Sequence, residues 1–135
     1  MALLASLGKY RNTGLLIIRA GLGVMMIYHG YPKLLGGPEQ WEAVGSSMKY
    51  LGITFTPTIW GLLAAVTETF GGFLILIGLA FRPACLFLMI TMAVASTMHL
   101  SNGDGLMIAS HAIELGIVFL GLVFIGPGRY SVDKK

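Results

Sequence analysis

Four long apolar segments of the sequence each contain ionisable side chains, which are rare in such surroundings. Glu68 lies near the middle of segment 57–82, Arg19 lies in the first segment and Glu114 in the last. A charge at the centre of a membrane-spanning helix costs about 2.5–3.5 kcal/mol on insertion scales, and it is tolerated where it faces a partner or a wet cavity. These three residues are therefore the first candidates for chemistry.

The depth of each charged residue in the membrane can be estimated from its position within its predicted span. Counting about 1.5 Å per residue from the middle of each predicted span places Glu68 and Glu114 within about 3 Å of the membrane centre, and Arg19 about 4 Å to the inner side. Glu68 also shares one helical face with small residues, which let another helix approach closely. The pattern predicts an acid–acid–arginine group inside a helix bundle.

Three histidines lie in the same segments. The same count places His111 about 7 Å, and His29 and His99 about 11 Å, toward the outer face. Together with the charged group they are predicted to form one interior column. A carboxylic acid beneath a series of imidazoles has the parts of a proton path, or of a polar pocket for a lipid-soluble redox molecule.

The column has two other interpretations. The arginine and the two acids could be a purely structural ion cluster that holds three helices in register. Alternatively, His29, His99 and His111, with methionines nearby, include ligand types for copper or haem. A metal or haem is not favoured, because no tight ligand motif is present and methionine is common in apolar helices.

Composition sets the class of protein. Of 135 residues, 56% are hydrophobic and 11% are charged, with a mean hydropathy of +0.80. Soluble domains contain about 25% charged residues, so these values predict an integral membrane protein. The net charge of +3 is spread over ends and loops, which favours a role in topology over nucleic-acid binding. A single cysteine, Cys85, excludes an internal disulfide and a Cys-x-x-Cys pair.

The predicted fold is an all-α, integral membrane four-helix bundle. It forms one domain over residues 1–135, with spans at about 13–31, 57–79, 83–100 and 106–125. Between the first two spans, Pro38 and Gly52 are typical of the start and end of a short helix over about 38–51. Its apolar stripe predicts an amphipathic helix on the membrane surface, acting as a packing lid more than as a substrate gate.

Basic residues predict the orientation. One side collects most of them, and the other side has Lys33 and Lys49. The majority set is Lys9, Arg11, Arg82, Arg129, Lys134 and Lys135. The positive-inside rule therefore places both termini in the cytoplasm and the long loop outside.

Several short patterns resemble one family. They are an arginine in the first span, His29-Gly30-x-x-Lys33-Leu34, Glu68-x-x-Gly71-Gly72, Gly78-Leu79-x-x-Arg82-Pro83, and the ending Gly126-Pro127-Gly128-Arg129-Tyr130-Ser131-Val132-Asp133. In order and spacing they resemble the DoxX family of small four-helix membrane proteins of bacteria and archaea, over nearly the whole chain.

The resemblance implies a protein of the prokaryotic cell (inner) membrane that is associated with quinone-linked oxidoreductases. Some relatives belong to thiosulfate:quinone oxidoreductases and others to redox-stress complexes. The matching positions are Arg19, His29, Lys33, Glu68 and Arg82. His99, His111 and Glu114 are candidates from the depth argument alone.

The first hypothesis is the membrane subunit of a quinone-dependent oxidoreductase. Its quinone head group is predicted at Arg19, Glu68 and Glu114. Lys33 and the three histidines would complete the binding site, and a soluble or membrane redox protein would supply electrons.

Two alternatives come from other classes. One is a non-catalytic binding or transport protein for a metal ion, small anion or lipophilic metabolite. The other is a structural anchor of a redox complex. Glycine-lined helix faces could also support a homo-oligomer in the lipid bilayer.

Overall fold

The computed structural model describes residues 3–134, and all regular structure in that range is helical. The α-helices are α1 (Arg11–Leu35), α2 (Gly37–Gly45), α3 (Pro57–Ile77), α4 (Phe81–Ser101) and α5 (Leu106–Ile125). Two 3₁₀ helices, Ala5–Tyr10 and Ser46–Leu51, precede α1 and follow α2. Residues 1, 2 and 135, which belong to the predicted domain and, for Lys135, to the basic set, lie outside the described range.

Four of these helices are long and apolar enough to cross a membrane. They are α1 with its preceding 3₁₀ helix, α3, α4 and α5, which confirms the predicted four-helix membrane bundle. Large apolar side chains cover the outside of the bundle, for example Ile17, Met107 and Phe124. An outer surface of this kind is suited to lipid.

The predicted spans agree with the helices except at their ends. The last span is α5 itself, while α4 begins two residues before Pro83 and α3 ends at Ile77. The largest difference is in α1, for which the sequence predicts an end before Pro32. The helix continues through Pro32 to Leu35, although proline removes one backbone hydrogen bond of a helix interior.

Helix contacts define the arrangement. α3 is central, since α1, α2 and α4 all pack against it, and α5 packs against α4. Over residues 3–134, no Cα atom of α1 lies within 8 Å of a Cα atom of α5. Side chains close this seam between α1 and α5 instead. Leu15 and Met26 of α1 belong to the same buried cluster as Phe119 and Leu122 of α5.

The segment predicted as a surface helix is an α-helix followed by a 3₁₀ helix. Its α-helical part, α2, crosses α3 at two glycines: a Cβ atom on Gly45 would overlap the Pro57 carbonyl, and one on Gly61 would overlap the Trp41 carbonyl. Trp41 also donates from Nε1 to the Lys33 carbonyl oxygen at 3.0 Å. The segment is thus packed tightly against the N-terminal part of α3.

Candidate functional site

The sequence predicts that Arg19 belongs to an interior column and pairs with an acid. In the structure, its side chain pairs with no acid among residues 3–134. It is 2% exposed. Its guanidinium group donates to the carbonyl oxygens of Ile75 at 3.1 Å and Leu76 at 2.9 Å, in the last turn of α3. It also donates to those of Pro127 at 3.3 Å and Tyr130 at 2.8 Å, just after α5. Carbonyls at a helix end lack partners within the helix. The predicted pairing of Arg19 with an acid was therefore wrong.

The error has a geometric cause, which is an offset between α1 and α3. A Cβ atom on Gly30 would lie 2.7 Å from the Glu68 Cβ, so Glu68 is level with Gly30. Eleven residues of helix, about 16 Å, separate Gly30 from Arg19. The depth estimates aligned the spans by their midpoints, and so they placed Arg19 and Glu68 at similar depths. In the structure, Glu68 is level with Gly30, which lies about 16 Å along α1 from Arg19.

Glu68 pairs with Lys33 instead. Lys33 Nζ lies 3.2 Å and 3.0 Å from the two carboxylate oxygens of Glu68. Glu68 is 4% exposed, while the Lys33 side chain is about one-third exposed. Sequence reasoning assigned Lys33 only by resemblance and missed it as the partner of Glu68. The signal was present, because Lys33 continues the buried stripe of Arg19, Met26 and Gly30 at helical spacing.

The Lys33–Glu68 pair lines a large cavity. The cavity has a volume of about 820 Å³ and lies among the α2–3₁₀ segment, α3 and α4. Most of its wall is apolar, with Val44, Met48 and Ala64 among the lining residues. Side chains with a polar group also line it, and they come from Lys33, Ser46, Ser47, Lys49, Tyr50, Trp60, Thr67, Glu68, Thr91, His99 and Asn102. Within residues 3–134, the buried Trp60 Nε1 has no hydrogen-bond partner.

Two hydrogen bonds fix the part of the cavity near the α4–α5 turn. His99 Nδ1 lies 2.8 Å from a carboxylate oxygen of Asp104. Tyr50 donates to the Asn102 side-chain oxygen at 3.2 Å, which ties the second 3₁₀ helix to the end of α4. His99 therefore lines the cavity, as does the Lys33–Glu68 pair, but it is not part of a histidine series.

His29 and His111 form a separate pair at the seam between α1 and α5. Their ring centroids are 5.9 Å apart in an edge-to-face arrangement, and both residues are exposed. Glu114 is also exposed, on α5, and within residues 3–134 no Cα atom of α5 lies within 8 Å of a Cα atom of α3. The acid–acid–arginine group was thus a wrong prediction, because the column is divided among three places.

A metal site would require several of the predicted ligand residues to lie close together. Across residues 3–134, no group of three or more His, Cys, Asp or Glu side chains is placed to hold a metal ion. His29 and His111 are neighbours, whereas His99 contacts Asp104. The three histidines therefore do not form the ligand set that the sequence suggested.

Arg82 lies at the opposite end of the bundle from the cavity. It donates to the Val123 carbonyl oxygen at 2.8 Å and the Phe124 carbonyl oxygen at 3.4 Å, and so joins the start of α4 to the end of α5. Asp133 accepts hydrogen bonds from the backbone N–H groups of Ala80 and Phe81 at 3.1 Å and 2.8 Å. These family-pattern residues hold the ends of helices together.

Fold and site define a multi-pass membrane protein with a four-helix bundle and, between the α2–3₁₀ segment, α3 and α4, a largely apolar cavity whose wall holds one part-buried ion pair. The DoxX family profile matches residues 14–100, and the chain belongs to that family.

Two relatives match nearly the whole chain. Inner membrane protein YphA of Escherichia coli is 28% identical over 136 residues, which cover 95% of this chain and 94% of the relative. An uncharacterized protein of Haemophilus influenzae is 30% identical over 140 residues, which cover 96% of each. No solved structure gives a significant match.

Proposed function

We propose that the protein is the membrane subunit of a quinone-linked oxidoreductase and that its cavity binds a quinone or a similar lipophilic redox molecule. The observation that carries the proposal is the cavity of about 820 Å³ with the Lys33–Glu68 pair in its wall. Ligand pockets are typically about 300–1,000 Å³, mostly apolar, with a few placed polar groups. The cavity has this size and a mostly apolar wall, with the Lys33–Glu68 pair as its charged group of lowest exposure.

The rim of the cavity supports a ligand that comes from the membrane. Leu63 of α3 lines the cavity together with Phe87 and Ile90 of α4, and each of these three apolar side chains is about half exposed. These residues lie on the lipid-facing surface. A molecule with an isoprenoid tail could therefore enter sideways from the bilayer, between α3 and α4.

The ion pair supports recognition of a carbonyl-bearing head group. Lys33 would donate a hydrogen bond to a head-group oxygen, and Glu68 would hold the ammonium group in place and accept or supply a proton beside it. When bound, a quinone supplies two-electron redox chemistry, with electrons delivered by a partner protein. Of the site residues proposed from the sequence, Lys33, Glu68 and His99 line the cavity, whereas Arg19 and Glu114 do not.

The relatives support the location. The name of the Escherichia coli relative places that protein in the inner membrane. We extend this location to the present chain as part of the proposal, with both termini in the cytoplasm.

The test is quinone binding to the purified protein in lipid nanodiscs. Lys33→Met and Glu68→Gln should each weaken saturable binding at least about tenfold, since a hydrogen bond to a charged group contributes about 1.5–3 kcal/mol. Glu42→Gln is the matched control, because Glu42 is exposed on α2 and does not line the cavity. Its affinity should equal that of the wild type.

Two results would overturn the proposal. One is the absence of saturable binding by folded wild-type protein. The other is competition by an isoprenoid alcohol that lacks the quinone ring with the same affinity as the quinone. The second result would favour a non-redox lipophilic metabolite as the ligand.

A further inference from the structure

Glu114 occupies a position that a single copy of the chain leaves unsatisfied. It lies about 2 Å from the midpoint of α5, counted at 1.5 Å per residue, and it is exposed on the outside of the bundle. The ion pairs within residues 3–134 join Lys33 to Glu68 and His99 to Asp104, and neither includes Glu114. Acyl chains offer no hydrogen-bond donor, so a carboxyl group at this depth requires another partner.

The same face of α5 carries a complementary group. His111 precedes Glu114 by three residues and is also exposed, so the two side chains lie on one face about 4.5 Å apart in height. An imidazole can donate and a carboxyl group can accept. His29 flanks His111 from α1 through a ring contact, at the edge of this face.

A face with one donor and one acceptor is complementary to a copy of itself. Two copies inserted with the same orientation are related by a twofold axis along the membrane normal, and each contact then occurs twice. Across such an axis, His111 of each copy meets Glu114 of the other. Gly121 continues the face about two turns beyond Glu114, and no atom lies within 4 Å of the position that its Cβ would take. A second helix can approach closely there.

We propose that the protein forms a homodimer through the α5 face of Met107, His111, Glu114, Val118 and Gly121. In it, His111 donates to Glu114 of the partner subunit, and the reverse bond forms as well. The dimer places both carboxyl groups out of contact with lipid. This face of α5 lies beside the contact between His111 and His29 of α1, and none of its residues lines the cavity.

Cysteine cross-linking in native membranes tests the face. Val118 and Leu120 are similarly exposed, at 41% and 45%, and a separation of two residues places them on opposite sides of α5. In a Cys85→Ala background, Val118→Cys should form a disulfide-linked dimer and Leu120→Cys should not. Cross-linking of Leu120→Cys to the same extent would overturn the proposal, as would a Val118→Cys product that contains another protein.

The hydrogen bonds are tested by the dimer fraction in lipid bilayers, counted by single-molecule photobleaching. Glu114→Ala should weaken dimerisation about tenfold, the effect of losing two interhelical hydrogen bonds in a membrane. The exchange of both residues, His111→Glu with Glu114→His, keeps the face self-complementary and should restore the dimer. A monomeric wild type, or a dimer unaffected by Glu114→Ala, would contradict the proposal.

Discussion

Arg19 illustrates, at the scale of a residue, how a buried charge in a membrane helix can serve the backbone. Its donors satisfy four carbonyl oxygens from two chain segments that lie far apart in sequence. A guanidinium group has five N–H donors in a fixed plane, which suits several acceptors at once. The sequence predicts a chemical role for this charge, whereas in the structure the guanidinium group binds backbone carbonyl oxygens at helix ends.

Arg19→Met should lower the free energy of unfolding by at least about 3 kcal/mol, because each buried carbonyl left without a donor costs about 1–3 kcal/mol. Unfolding in mixed micelles measures the loss. Arg82→Met is the control, since Arg82 also donates to two carbonyl oxygens but is exposed. Its effect should be smaller, and an equal loss for both variants would contradict the special role of Arg19.

Individual pairings were the hardest part to predict. Glu68 was expected to face the interior, and it does, with Lys33 as the partner that the sequence left unassigned. Which residue pairs with Glu68 depends on the offset between α1 and α3. That offset is set where Gly23 lies against Gly72 and Gly30 lies against Thr69. A sequence does not show which glycines of two helices will contact each other. The relative heights of two helices therefore do not follow from the midpoints of their spans.

At the scale of the element, α2 and α3 are joined by two glycines that allow backbone to approach backbone. Gly45 and Gly61 leave no room for a side chain at the crossing. The α2–3₁₀ segment supplies one wall of the cavity. The packing of these two residues therefore determines the shape of the candidate site.

Gly61→Ala should destabilise this crossing by about 3 kcal/mol, the upper part of the usual cost of overpacking. Hydrogen exchange of residues 37–51 should rise as the segment separates from α3. Gly21→Ala serves as the control because no atom lies within 4 Å of its Cβ position. Unchanged exchange in the Gly61 variant would show that the crossing is not a tight constraint.

Elements themselves were predictable to a large extent. Runs of about 20 apolar residues identify spanning helices whatever their packing, and α5 was predicted to the residue. The end of α1 was not, because the bundle tolerates Pro32 inside a helix. The end of the loop helix was correct at Leu51, although its second half is a 3₁₀ helix.

At the scale of the whole molecule, one end of the bundle gathers the basic residues. Arg129 donates its backbone N–H to the Asn12 side chain at 2.9 Å, which brings the start of α1 to the C-terminal tail. The tail also meets the α3–α4 turn, where Val132 donates to the Ile77 carbonyl oxygen at 3.1 Å. Lys9, Arg11, Arg82 and Arg129 therefore lie toward a single end.

We expect this end to face the cytoplasm by the positive-inside rule. In a Cys85→Ala background, an impermeant maleimide should label Glu42→Cys in intact cells and Tyr130→Cys only after permeabilisation. Both positions are exposed, so accessibility within the protein is matched. The reverse labelling pattern would show that the orientation is inverted.

The bonds from Arg19 to the tail also have a consequence for biosynthesis. Pro127 and Tyr130 follow Arg19 by 108 and 111 residues, so they are synthesised after all four spanning helices. Until then Arg19 lacks part of its final set of acceptors. A chain that stops after α5 would retain all four spans and yet leave this charge only partly satisfied. The segment after α5 therefore completes the hydrogen bonds of a residue in α1 only after all four spanning helices have been made.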